Sequence, residues 1–518
     1  MDDNEGTHAF YPIGPRLILI TVSLMLAVFC VALDNTIMAV AIPRITDDFH
    51  ALNDVGWYAS SYLLTTCSFQ LLYGKFYTLF SIKWVYLTAL FIFELGSLIC
   101  GVAPNSTALI VGRAVAGLGS AGIFTGALVT LAHTVELAKR PMFFGVLGGM
   151  YGIASVAGPL LGGAFTDHAT WRWCFYINLP LGGITAIGLL TLLKLPTKTK
   201  TQSAPMNTFL KLDPLGTTIF VPAIVCLLLA LQWGGVRYDW SNGRIIALFV
   251  VFGIAILAFI LLQIVLGDKA TVPTDISRQR TIASASFFGL CIGGSFFIMI
   301  YYIPIWFQAI RGVSAVHSGI NSLPMILANV VGILLAGALT TRFGYYAPFF
   351  IASSVIMSIG AGLITTWTVD VSQSRWVGFL FLYGMGVGFG FQQGGVAAQA
   401  VLPLSKVSIG TSTVMFLQML GGSVFVSVAQ NIFTKRLITN LAALNIPDFS
   451  PSEVVNGGAT SLRSIVSDSD LPDVLVAYND ALVEVFQLGL ILACLSIIGA
   501  LGVEWKNMKA KKADVAAA

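Results

Sequence analysis

Apolar positions along this chain come in long blocks, and the charged positions fall in the short gaps between them. Fourteen blocks stand out, at 17–42, 56–79, 84–103, 107–132, 142–166, 173–193, 214–233, 245–266, 282–308, 317–340, 348–367, 376–397, 408–433 and 483–504. A hydrocarbon core of ~30 Å takes about twenty helical residues to cross. Each block has that length to within a few residues. Lipid offers peptide groups no hydrogen-bond partner, so a block that spans it must be helical. The pattern therefore predicts an all-α membrane protein with fourteen transmembrane helices. Glycine and proline inside the blocks, as at Gly158-Pro159, are tolerated in that setting.

The gaps divide the chain further. Residues 1–16 form an N-terminal tail, 195–213 a basic linker, 267–281 a short loop, 434–482 a long acidic loop and 505–518 a C-terminal tail. Loops on the cytoplasmic side carry the excess of lysine and arginine. With the N-terminus inside, the inner segments hold about twice the cations of the outer ones, among them Lys83, Lys139, Arg140, Arg280, Arg342 and Lys506. Both termini are then cytoplasmic. The first block follows an acidic leader and outruns a signal-peptide core, so it is expected to be retained. Asp448, Glu453, Asp468, Asp470, Asp473 and Asp480 mark 434–482 as a solvated outer loop, with a lid or substrate-gathering role as the alternative. Asn105 opens a glycosylation triplet in a short outer loop.

Composition narrows the classes. Of 518 residues 56% are hydrophobic and 10% charged, and the mean hydropathy is +0.85. A soluble domain is about a quarter charged, so this chain lacks the surface to stay in water. The net charge of +4 includes no basic run, and no nucleic acid is expected as a partner. The seven cysteines have neither metal nor disulfide-framework spacing and read as buried small residues. No phosphate-binding loop, metal set or nucleophile constellation is present, so neither an ATP-driven pump nor an enzyme is expected, and no metal or cofactor.

An internal repeat gives the architecture. Gly74 to Lys83 follows the second block, and Gly337 to Tyr346, with Arg342, follows the tenth. Both are glycine-opened cationic turns at the same point of a six-helix unit. The fourth block of each unit is glycine-rich in step, at Gly117 and Gly119 and again at Gly386 and Gly388. Two six-helix bundles, 17–194 and 282–504, then flank two inserted helices in 214–266. Duplicated halves around a site near the midplane are a common plan for secondary transporters.

Three charges inside blocks carry the candidate chemistry. Asp34 lies in the outer part of the first block. A charge in a span costs ~2.5–3.5 kcal/mol at the helix centre on insertion scales, so it is rarely idle. Burial disfavours an ionised carboxylate and a nearby cation favours it. A group held between the two can load and release a proton; the other reading is a fixed ion pair or cap. Arg113, in the fourth block beside Gly117, Gly119 and Ala121, is either a gating and coupling residue or a tie between helices. Glu94 is free to partner Arg113, receive a proton or meet a cationic substrate. The second unit has no acid or arginine inside its helices, Glu484 sitting at the outer edge of the last, and Leu382 stands where Arg113 stands in the first. It offers Gln392, Gln393, Gln399 and Gln418 with Phe287, Tyr301, Trp306 and Phe416, walls suited to a bulky amphipathic organic compound or to packing alone. Gly145, Gly149, Gly152, Gly158, Pro159, Gly162 and Gly163 make the fifth block a close-packing, kinked helix.

These segments together resemble the major facilitator superfamily, and within it the fourteen-span drug:proton antiporter branch of the fungal toxin and multidrug efflux type. Leu33-Asp-Asn-Thr through Pro43 is similar to the first-span signature, and Arg113 through Ala121 to the fourth-span motif. Gly145 with Gly158-Pro159-Leu-Leu-Gly162-Gly163 is similar to the antiporter motif, and Trp171 through Gly182 to the approach to span six. The resemblance implies the major facilitator fold with alternating access by two rocking bundles. It also implies proton-coupled export, with Asp34 and Arg113 in coupling. Energy would come from the transmembrane proton gradient, and the partners would be protons, the lipid bilayer and a small organic molecule. Gly74, Lys83, Gly337 and Arg342 correspond to the cytoplasmic gate turns. The chain departs from the pattern at Ala154, Thr78, Ser81 and Thr341, so no charge-relay gate is carried over. The expectation is a monomeric exporter of a toxin, secondary metabolite or drug at the plasma membrane, or at a vacuolar or vesicular one. A facilitator or importer of a siderophore or nutrient is the rival.

Overall fold

The computed structural model describes residues 12, 14–50, 54–193, 211–235, 237–444, 446, 462–463 and 466–509. Long helices follow the apolar blocks. The first set is α1 (Pro15–Phe49), α2 (Val55–Leu79), α3 (Ile82–Val102), α4 (Ser106–Thr134), α5 (Arg140–His168) and α6 (Asn178–Leu192). A pair follows, α7 (Pro214–Trp233) and α8 (Gly243–Leu266). The second set is α9 (Arg280–Ala309), α10 (Ala315–Phe343), α11 (Ala347–Ile364), α12 (Gln373–Phe391) with α13 (Gln393–Val401), α14 (Val407–Ala443) and α15 (Leu471–Gly502). Among the described residues, twelve helices are long and apolar enough to cross a membrane. Helices α2 and α12, of 25 and 19 residues, are not among the twelve, being richer in Ser, Thr, Gln or Gly.

Polar residues at the helix starts satisfy the exposed amides. Asn105 accepts from Ala108 N at 2.9 Å, Asp213 from Gly216 N at 2.8 Å and Gln279 from Ile282 N at 2.8 Å. Cations close helix ends: Lys83 Nζ donates to Leu190 O at 2.6 Å and Arg16 Nε to Leu192 O at 3.0 Å, both at the end of α6.

The packing repeats. In the first set α1 meets α5 and α6, α4 meets α2 and α3, and α3 meets α6. In the second, α9 meets α14 and α15, α12 meets α10 and α11, and α11 meets α15. The sets touch through α5 against α10 and α2 against α14, which are equivalent faces in the two patterns. Helix α7 lies against α2 and α14, and α8 lies against α7. The outer face of α8 is bare hydrocarbon, with Ile254, Leu257, Leu261 and Val265 exposed, as a helix bordered by lipid would be.

Several boundaries differ from the sequence reading. The acidic loop is shorter than 434–482, because α14 continues to Ala443 and α15 begins at Leu471. Those extensions are amphipathic: Leu437, Leu441, Val474, Tyr478 and Ala481 are buried, while Asp473 and Asp480 ride on the helix. The block at 376–397 breaks at Gln392 rather than forming one helix. The block at 173–193 is a helical turn, Trp173–Tyr176, followed by α6. Cys494 is exposed and Cys226 half-buried, although all seven cysteines are free. Most of the 1–16 tail, Lys194 at the end of the first bundle, 195–210 of the linker, Asp448, Glu453 and 510–518 lie outside the described residues.

Candidate functional site

Asp34 and Arg113 form an ion pair in which each side chain is 1% exposed. Arg113 Nη1 donates to Asp34 Oδ2, and Nε donates to the Tyr58 carbonyl at 2.8 Å. The guanidinium sits 4.4 Å from the centre of the Tyr62 ring. Helices α1, α2 and α4 therefore need to come close, and glycine in α4 lets both α2 and α3 pack tightly on it. Thr66 donates to the Gly117 carbonyl at 3.0 Å, which brings α2 onto α4, and a Cβ at Gly119 would lie 2.7 Å from Phe93 Cα in α3. The second oxygen of Asp34, Oδ1, is buried without a hydrogen-bond partner among the described residues. Asn178 of α6 stands beside this carboxylate, so its polar surroundings are one cation, Arg113, and one neutral amide.

Glu94 does not partner Arg113. Helix α3 turns it toward α6, where a Cβ at Gly182 would lie 2.9 Å from Glu94 Cγ. Both its carboxylate oxygens are buried without a hydrogen bond among the described residues. Asn178 and Ser97 join at 3.2 Å on the same pair of helices. Proton acceptance and contact with a cation remain as its two readings.

Helix α5 has two working faces. Gly145 packs on α10, a Cβ there falling 3.1 Å from Ile333 O, and Gly149 and Gly152 face Val330. Gly158 faces α1: a Cβ would lie 2.8 Å from Thr36 Cβ, and Thr36 donates to Ala154 O at 3.0 Å. Pro159 lies within the helix and Gly162 is buried, whereas Gly163 has open space around it. The motif residues thus join α5 to the second set at one end and to the Asp34 helix at the other. Gly158→Leu is expected to push α1 off α5 and reduce transport to background at normal membrane levels. Wild-type flux in that variant, measured in vesicles, would reduce the motif to packing.

The cationic turns are split in the same way. A Cβ at Gly74 would lie 2.9 Å from Ser412 Cβ in α14, and one at Gly337 would lie 3.3 Å from Met142 Cα in α5, so both glycines sit where the sets touch. Lys83 caps α6 and Arg342 is exposed, its carbonyl accepting from Lys509 at 2.5 Å; neither side chain bridges the sets. Arg140 does bridge them. It donates to Ala132 O at 2.6 Å, Val135 O at 2.9 Å and Gln399 Oε1 at 3.3 Å, while Gln399 Nε2 donates to Leu128 O at 3.1 Å. Met142 N donates to Thr341 Oγ1 at 3.2 Å nearby. Sequence reasoning counted Arg140 only as a topological cation, although its place next to a helix-opening proline was a signal.

A second missed residue is Asp213, assigned to a solvated linker. Its carboxylate is buried and accepts from Gln263 at 2.7 Å and from Thr271 N and Oγ1 at 3.1 and 2.7 Å. Beside it the buried Lys75 donates to Lys269 O at 3.2 Å, so the α7–α8 pair is fastened to α2.

In the second set Gln392 stands at the α12–α13 break with neither amide atom hydrogen-bonded among the described residues, and a Cβ at Gly148 would lie 2.9 Å from its Nε2. Gln393 donates to Thr340 at 3.5 Å and Gln418 to Phe391 O at 3.3 Å. Trp306 lies away from any opening: it is fully buried, 4.6 Å from Trp367, and donates to Asn479 at 2.8 Å. Its large ring fills the core of the second set, which a bare count of aromatics could not reveal. Tyr301, by contrast, lines a cavity of about 440 Å³ between α2, α7, α9 and α14.

The family model for the Major Facilitator Superfamily matches residues 24–426. Efflux pump aflT of Aspergillus parasiticus is 64% identical over 497 residues, covering 96% of this chain and 97% of that one. The MFS-type efflux pump MFS1 of Arthroderma benhamiae is 56% identical over 506 residues, covering 98% and 94%. The crystal structure of the human organic anion transporter MFSD10 (TETRAN) shares the fold at 12% identity, with a TM-score of 0.58 over 93% of this chain and 100% of that one. With duplicated packing, a buried acid–arginine pair in the first set and this extent of matching, the chain belongs to the Major Facilitator Superfamily.

Proposed function

We propose that this protein is a proton-coupled exporter of a hydrophobic organic compound. The observation that carries the coupling is the buried Asp34–Arg113 pair, in which the second carboxylate oxygen lies outside the ion pair and takes no hydrogen bond among the described residues. A charge pair taken out of water stabilises a fold weakly, because desolvation offsets most of the attraction. Its retention at full burial favours a working role. A proton arriving at Oδ1 neutralises Asp34 and removes its attraction for Arg113. Helices α1 and α4 are then free to shift, and α5, joined to α1 at Gly158 and to α10 at Gly145, passes the shift to the second set. Release of the proton on the other side restores the pair. Glu94, on the same set and without a hydrogen-bond partner among the described residues, serves as a second proton acceptor.

Export rather than import is supported by the names of the two relatives described above, both of which are called efflux pumps. We assign the chain fourteen crossings, with α2 and α12–α13 spanning beside the twelve more apolar helices. We assign the basic end, which carries Lys83, Arg140, Lys406 and Lys509, to the cytoplasm, and the protein to the plasma membrane; the inward bias of lysine and arginine supports the first. Inside-out vesicles bearing the protein should accumulate a hydrophobic dye when their interior is made acidic. Dissipating the pH gradient should abolish that accumulation; uptake that persists unchanged would contradict proton coupling.

A further inference from the structure

We infer that helix α7 of the inserted pair builds one wall of a binding site for an aromatic compound that carries a hydrogen-bond acceptor. The inference rests on the exporter reading for its purpose, but its physical basis is separate. The cavity of about 440 Å³ lies at the end of the molecule opposite the basic turns. Its volume falls in the range of small-molecule sites, which are mostly apolar with a few placed polar groups. Leu63, Leu231, Phe297 and Val426 supply apolar walls from all four helices.

The polar groups in the wall point to one kind of ligand. Trp233 at the end of α7 meets Trp57 of α2 edge to face at 5.9 Å, so an aromatic surface is held rigidly in place. The indole Nε1–H of Trp233 is buried and has no hydrogen-bond partner among the described residues. A buried donor without a partner is costly, and native structures rarely leave one without a reason. Tyr301 is 44% exposed and turns that surface to the same cavity. Arg237 lines the cavity too, and forms no ion pair among the described residues; its guanidinium is 5.7 Å from the Tyr238 ring. The Arg237 guanidinium, with the unpartnered Trp233 indole N–H just behind the aromatic wall, favours oxygen acceptors, neutral or anionic, over amines.

Helix α7 makes this space. It is anchored to α2 by Gln232 donating to Ser60 at 2.6 Å and to α14 by Phe220 against Phe416 at 5.3 Å. Without α7, the cavity faces of α2 and α14 would lie open to acyl chains. The basic end is meanwhile bridged by Arg140 and Gln399, so this cavity is the space between the sets on the side away from that bridge.

The test is equilibrium binding to the full chain in lipid nanodiscs, with hydroxynaphthoate as a fluorescent aromatic acid and naphthylamine as the matched amine. Hydroxynaphthoate should bind more tightly than naphthylamine. Trp233→Phe keeps the ring and removes the donor, and should weaken hydroxynaphthoate about tenfold. Arg237→Gln should weaken it and leave naphthylamine unchanged, and Val426→Trp should abolish binding by filling the space. The inference is overturned if wild-type protein does not bind hydroxynaphthoate, if both Trp233→Phe and Arg237→Gln bind it as wild type does, or if added phospholipid displaces it from wild type and Trp233→Phe alike. Binding with these dependences in a protein that shows no pH-driven export would leave the site standing and remove the exporter reading; pH-driven export with no such dependence would do the reverse.

Discussion

Asp34→Asn is expected to bring pH-driven export down to the level of vesicles without the protein, while the chain still inserts in the membrane. Asparagine fits the same space and offers Arg113 an amide oxygen, but it cannot ionise or carry a proton. Arg113 is then left with the Tyr58 carbonyl and the Tyr62 ring as neutral company. Removing one partner of a buried pair costs about 3–5 kcal/mol, since the other charge stays in place without compensation. A lower midpoint of thermal unfolding should accompany the lost transport. Adding Arg113→Gln to the same protein should recover part of the stability and none of the transport. Transport restored in the double variant would make the pair a structural tie and nothing more.

Asp213→Ala should damage the fold rather than the coupling. Four donors, from Gly216 N, Gln263, Thr271 N and Thr271 Oγ1, converge on this carboxylate. Each buried donor left empty costs ~1–3 kcal/mol, so the sum exceeds about 3 kcal/mol even where water enters to replace some bonds. The backbone adds to the loss. Asp213 has φ of 52°, a left-handed conformation that aspartate tolerates better than alanine. Loss of this hub should loosen α7 and α8 from α2, expose Cys226 to a maleimide and lower the unfolding midpoint. Asp213→Asn, which keeps an acceptor, should be milder. An alanine variant that melts with wild type and keeps Cys226 protected would show that the hub contributes little.

The contrast between these two acids explains what could be read in advance. Asp34 was legible because an acid in a twenty-residue apolar block stands out, and Arg113 stood out for the same reason. Their meeting was not, since nothing in the sequence says which face of α4 turns to α1. Asp213 was hidden by its neighbours: a stretch with several lysines reads as solvated, and only the fold brings Gln263 and Thr271 to it. Glycine was legible as a sign of close packing, but not of what it packs on. Gly145 turns out to face the second set and Gly158 the first, on one helix. Trp306 and Tyr301 lie in the same apolar block, five residues apart, yet one plugs a core and the other lines a cavity. Block length could place most helix ends to within a turn; the exceptions are α1, which runs on to Phe49, α6, which begins only at Asn178, the break at Gln392, and the amphipathic ends that carried α14 and α15 into the expected loop.

The central claim is that the acid in α1 moves protons in step with cargo. Purified protein in liposomes, with a pH-sensitive dye inside and a hydrophobic substrate added outside, measures both flows at once. Wild type should show proton movement opposite to substrate movement, each stopping when the other is blocked. Asp34→Asn should show no proton movement at all. Substrate flow in that variant accompanied by the wild-type proton flow would contradict the account.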